Sequence, residues 1–258
     1  MNTSISYYGI LYLLILVLPT LYLNYKLDLT ITKATIIAII RMIVQLSLVG
    51  LYLQYIFDLN NPFLNLAYII LMMNIASFSI TKSCGLKLRN LLFPIFLSMA
   101  IPNVLMIFFI NTFVIRLENI MDARYLITIG GMLLGNILSG DIIGLNTYYR
   151  GIKENKDVVN YDLALGATLY QASKPFLKDA INASIKPTIA SMATIGLVSL
   201  PGMMTGQILG GSLPYEAIMY QITIMLAIYI SRYLNIILVI SFSNKFMFNN
   251  KSQLIGLD

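Results

Sequence analysis

Histidine is absent from this 258-residue chain, and cysteine occurs once, as Cys84. Without histidine the commonest general base, the His–carboxylate zinc motifs and the Ser-His-Asp triads are all excluded. A lone cysteine permits neither an intrachain disulfide framework nor a paired-thiol metal site, which leaves Cys84, next to Gly85, as a free structural thiol. Charge is scarce too: Asp, Glu, Lys and Arg make up 11% of the residues against 58% hydrophobic, with a mean hydropathy of +0.80. Soluble domains of this size do not have that balance. No G-x-x-x-x-G-K-[ST] phosphate loop is present. Work driven by nucleotide hydrolysis would therefore need a separate ATP-binding partner, and no cofactor is expected in this chain.

What the chain does have is long apolar runs. A helix needs about 20 such residues to cross the roughly 30 Å hydrocarbon core. Seven runs qualify, at about 5–25, 31–57, 63–81, 91–115, 125–149, 188–212 and 217–243. The remaining segments are too short for an ordinary independent domain. The expectation is an all-α polytopic membrane protein of about seven transmembrane helices, one membrane domain over 1–258. The first run has no basic n-region and no small-residue cleavage site before Lys26, so it is expected to be a retained span.

Positive charge sets the orientation, because cytoplasmic loops retain it during insertion. With seven alternating spans, Lys26, Lys33, Lys82, Lys87, Arg89, Arg150, Lys153, Lys156, Lys174, Lys178, Lys186, Lys245 and Lys251 share one side, and only Arg116 and Arg124 take the other. The N terminus is then outside and the C terminus cytoplasmic. The net charge of +6 is explained by this asymmetry and by contact with acidic membrane lipid, with no reason to invoke nucleic acid.

The longest non-spanning segment, about 150–186, carries six basic residues and the acidic Glu154, Asp157, Asp162 and Asp179. Val159, Leu163, Ala167 and Tyr170 recur at helical spacing, predicting a short amphipathic helix interrupted by Pro175. Phe176 to Lys186 then leads towards the sixth span, with Pro187 near its start. Such a helix can lie on the headgroups with its basic face on anionic lipid. It can also dock a partner, and the small-residue patch from Leu163 to Thr168, with Gly166 and Ala167, favours close approach by another surface. Asp162, Leu163, Gly166 and Ala167 are the candidate docking residues.

Pro201, Met203, Met204 and Gln207, with several glycines, lie inside the sixth run. Broken backbone at membrane depth is tolerated where it lines a cavity or is covered by protein. A proline frees a carbonyl one turn earlier and Gln207 adds an amide, so this run is the candidate path. Arg41 lies eight residues beyond Lys33 and Asp141 nine before Arg150, which puts both about 12–14 Å in from the cytoplasmic end. They are expected to face each other or a shared wet cavity, as a gate or as a static ion pair. Arg232 is read as snorkelling from near the end of the seventh span. Glycines and serines at four-residue spacing, such as Gly131-Gly135-Ser139, Gly140-Gly144 and Gly206-Gly210, permit close helix contact.

Leu163 to Thr168, followed by Gly196 to Gly211 and by Tyr220, Gln221 and Ile222, resembles the FetB-type permeases, membrane subunits of ABC transporters described as iron exporters and related to plant aluminium-sensitivity permeases. Arg41 with Gln45 and Gly135 with Asn136 extend the resemblance over most of the chain. The resemblance implies that 160–172 is a coupling helix seated in an ATP-binding cassette subunit, where ATP is bound, and that two copies of the chain face one another across the path. It also implies export of a metal ion, iron in the family, or of a small metabolite, at the cell (plasma) membrane. Coupling regions of ABC permeases commonly carry a Glu before the Gly; here that place is near Asn160, with Asp162 the closest carboxylate. Arg41, Gln45, Asn136, Asp141, Pro201, Met203, Met204 and Gln207 are then the candidate path residues. A channel or secondary carrier working without an ATPase, and a membrane adaptor with no flux, remain the alternatives.

Overall fold

The computed structural model describes residues 7–86 and 88–249. Lys87, Lys251 and the first two residues of the 5–25 run lie outside the described residues. Nine α-helices follow one another: α1 Tyr7–Lys26, α2 Thr32–Leu59, α3 Pro62–Ser83, α4 Leu88–Phe109, α5 Ala123–Glu154, α6 Lys156–Ala164, α7 Leu169–Thr194, α8 Gly202–Leu209 and α9 Pro214–Met247, among the described residues. A π-helical turn, Ile110–Val114, extends α4. No strand occurs among the described residues; an isolated bridge joins Ile195 to Ser199. The protein is a polytopic all-α membrane protein. Six helices among the described residues are long and apolar enough to span a bilayer, namely α1, α2, α3, α4 with its π-turn, α5 and α9.

The chain divides after Leu59 into two units. The first is the hairpin of α1 and α2, turned through Asp28, whose φ is +50°. Leu29 N–H donates to the Asn24 carbonyl to close that turn. In the second unit α5 packs against α3, α7 and α9, and α4 packs against α3 and α9. Along α5, Leu126, Ile129, Leu133, Ile137, Gly140, Gly144 and Tyr148 recur at three to four residue intervals and are buried. Glycines let neighbours close on this helix: a methyl at Gly144 would overlap Ile236, and one at Gly151 would overlap Phe176.

Backbone groups left over at helix ends are capped locally, as hydrocarbon requires. The Asn61 side chain accepts from the Phe63 and Leu64 amides at the start of α3. Asn60 and Asn65 tie the α3 start to the α4–α5 connection, through Asp122 and the Met121 carbonyl. At the other end, the Tyr149 hydroxyl donates to Ser243 at 2.7 Å and the Asn244 amide donates to the Tyr148 hydroxyl at 2.8 Å. The C-termini of α3, α5 and α9, bearing Lys82, Lys153 and Lys245, gather there with the start of α7.

The segment around 150–212 is built differently from the sequence-based expectation. The chain turns at Gly166, where φ is +92°. There the Ala167 amide donates to the Asp162 carbonyl and the Gly166 amide to that of Leu163, a Schellman ending that accounts for the glycine without any partner. Pro175 does not interrupt a helix, because α7 starts only at Leu169, capped reciprocally by Thr168 and Gln171, and runs through both Pro175 and Pro187. The expected 188–212 span is not one helix. It comprises the last turns of α7, a break at 195–201 and the eight-residue α8. Pro201 stands at the N-cap of α8 and not inside a helix, so it frees no carbonyl one turn earlier; the break comes from Gly196 at φ +84°.

Candidate functional site

The break in the α7–α8 segment opens a cavity of about 310 Å³ between α5, α7 and α9. Asn136 of α5, Thr188 and Ser191 of α7, Ser199 and Pro201 of the break and Arg232 of α9 supply its polar and turning surface. Arg232 is 5% exposed. Its Nη1 donates to the Thr188 hydroxyl at 3.1 Å, and its Nε has no hydrogen-bond partner. A methyl at Gly140 would overlap the guanidinium and Ser184, so glycine there is what admits the arginine against the α5 backbone.

Behind the cavity lies Asp141, 1% exposed. Its Oδ1 accepts from the Asn235 amide at 2.5 Å, and its Oδ2 is unpartnered, as are Ser184 Oγ and Asn235 Oδ1. Asp141 and Arg232 form no ion pair within 4 Å; Arg150–Glu154 is the single such pair among the described residues. Asp141 therefore takes its polar neighbours from α9. Arg41, expected to face it or to share a wet cavity with it, and the path candidate Gln45 are exposed positions of α2 in the first unit. Arg232 corrects the snorkelling expectation: α9 runs fifteen residues past it to Met247, and the side chain is enclosed. Asn235 one turn on, followed by Ile236 to Ile240, was the sequence signal for that burial.

The other candidates separate. Met203 and Gln207 line a second cavity, about 530 Å³, with Asp122, Tyr125 and Tyr220, where Gln207 Oε1 is unpartnered. Met204 turns into a third, apolar one of about 430 Å³ with Met192, Leu200 and Met225. The two methionines are thus not brought to one site. No cluster of three or more Asp, Glu or Cys able to hold a metal ion occurs among the described residues.

The α6–α7 corner is the second candidate feature. Asp162, Leu163 and Ala167 are half-buried and Gly166 is exposed. Val158, Tyr161 and Leu165 form an outward apolar stripe at helical spacing, Leu165 being 70% exposed, and Tyr170 continues it onto α7. Val159 faces inward. Tyr170, expected on the same face as Val159, does not join it, because the turn at Gly166 resets the helical phase.

A polytopic helical bundle with a broken segment over a buried, hydroxyl-lined arginine defines an integral membrane protein with an internal polar site. The chain belongs to the family described as Uncharacterised protein family (UPF0014), whose model matches residues 7–248. It is similar to the UPF0014 membrane protein slr1647 of Synechocystis, 33% identical over 83% of this chain and 83% of that one. It is also similar to Protein ALUMINUM SENSITIVE 3 of Arabidopsis thaliana, 35% identical over 82% and 76%. The protein of Escherichia coli named "Probable iron export permease protein FetB" is 28% identical over 94% of this chain and 92% of its own. No solved structure matches the chain.

Proposed function

We propose that the chain is the membrane-spanning permease subunit of an ABC transporter, exporting a metal ion or small metabolite with ATP bound and hydrolysed by a separate cassette subunit. Iron as cargo is suggested by the printed name of the E. coli relative. In this reading the basic end of the bundle faces the cytoplasm of the cell, the protein resides in the plasma membrane, and two copies enclose the path.

The observation that carries the reading is a mechanical one: a single helix, α7, joins the exposed α6–α7 corner to the break that opens the polar cavity. A cassette subunit closing on ATP would push Tyr161, Leu165 and Tyr170, and α7 would pass that displacement to Thr188 and Ser191 in the cavity wall. Leu197 at the break is 91% exposed, as a lipid- or copy-facing residue of such an assembly would be.

The test is co-purification of the chain with an ATP-binding cassette subunit from the same genome, compared with Leu165→Asp. Retention by the parent and loss in the variant is expected; equal retention, or none in either, would remove the docking assignment.

A further inference from the structure

We propose that the cavity at the break is an anion site, taking a small solute that bears carboxylate or phosphate groups, so that a metal ion would enter it only within a negatively charged complex. The inference deepens the permease reading and rests on it for the role of the site in transport.

Arg232 lies about 27 Å along α9 from Pro214 and about 22 Å from Met247, well inside the membrane by either measure. A guanidinium keeps its charge there and carries five N–H donors. One of them goes to Thr188, and the Nε–H is shut in against Gly140, which leaves the remaining Nη donors for the cavity. No carboxylate lines the cavity: α5 presents Asn136, α7 presents Thr188 and Ser191, and the break presents Ser199. Asp141 is held behind the wall by Asn235 and is not paired with Arg232 within 4 Å.

A buried cation whose nearest carboxylate, Asp141, is neither in contact with it nor in the cavity is only partly compensated in low dielectric, and a mobile anion in the cavity would complete the compensation. Arginine also matches carboxylate and phosphate oxygens with paired hydrogen bonds. The α8 N-terminus adds to this: Pro201, on the same wall, caps it with no side-chain acceptor, and the first amides of a helix favour negative charge.

The experiment is thermal unfolding of the purified full chain in lipid nanodiscs, titrated with citrate and with inorganic phosphate, with choline chloride and ferrous ion as controls. A saturable rise in unfolding temperature is expected with at least one anion and not with ferrous ion. Apparent affinity should fall about tenfold or more in Arg232→Gln, the loss expected when a charge-assisted hydrogen bond is removed. Should Arg232→Gln fail to fold, Asn136→Asp serves in its place: it leaves Arg232 intact, puts a fixed carboxylate into the cavity and should abolish the response. No anion response in the parent, or an unchanged one in Asn136→Asp, would overturn the proposal. The nanodisc assay needs no cassette subunit, so anion binding there together with failure of the chain to co-purify with any ATP-binding subunit would keep the site and lose the permease reading. ATP-driven flux without anion binding would do the reverse.

Discussion

At the scale of single residues, Asp141 and Asn235 show how a buried polar pair is held between α5 and α9. Replacing Asp141 by Leu strands the Asn235 amide and should cost about 1–3 kcal/mol. Asp141→Asn, which can still offer an acceptor, should cost less. Thermal unfolding of the two variants in the same detergent distinguishes them, and equal losses would deny the hydrogen bond its role. Cys84 gives a pH signature. It is buried at the end of α3, and that burial, with the Asp141 carboxylate adding to it, pushes its thiol up to about 12 from an ordinary 9.0. The unfolded chain gives up this proton first, so the contribution is flat below about pH 9 and stability falls as pH rises from there towards about 12. Between about pH 8 and about pH 10.5 the parent should lose more unfolding temperature than Cys84→Ala; parallel curves would contradict this. Asp141 was legible as a position with polar company because a charge in an apolar run needs a reason. Arg232 was misread although Asn235 and the apolar run after it signalled that the span continues, because a run of sequence does not say which helix face meets a neighbour, and Gly140 as its seat is a tertiary fact.

At the scale of elements, glycines that look alike in sequence do different work. An added methyl at Gly135 meets nothing within 4 Å, whereas one at Gly144 overlaps Ile236. Gly144→Ala should therefore lower the unfolding temperature of the monomer relative to Gly135→Ala, with an overpacking cost of about 1–3 kcal/mol; the opposite order would mean that Ile236 yields freely. Gly166 has open space around it but sits at φ +92°. Gly166→Ala should cost about 1 kcal/mol from the left-handed turn alone, which makes Leu165→Asp the cleaner probe of docking. The spans other than the sixth were legible from hydrophobic runs, with ends within a few residues. The sixth was misjudged because length and apolarity cannot register that Gly196 turns the chain, leaving α7 and α8 as separate helices. The α6–α7 boundary was likewise hidden, since Pro175 is the louder signal and Gly166 the one that acts.

At the scale of the whole molecule, the fold class and the family follow from patterning that survives without any site chemistry, and within the second unit Asn136 and Pro201 line one cavity, Met203 and Gln207 a second and Met204 a third. In the proposed permease the working part is α7, tying an exposed corner to a polar cavity. The decisive measurement is solute efflux and ATP hydrolysis in proteoliposomes holding the chain and a cassette subunit from its genome, with the parent and with Leu165→Asp. Flux that requires ATP and the cassette subunit, and that is lost together with stimulated hydrolysis in Leu165→Asp, is the expected result. Flux that proceeds without the cassette subunit, or hydrolysis indifferent to Leu165→Asp, would contradict the permease assignment.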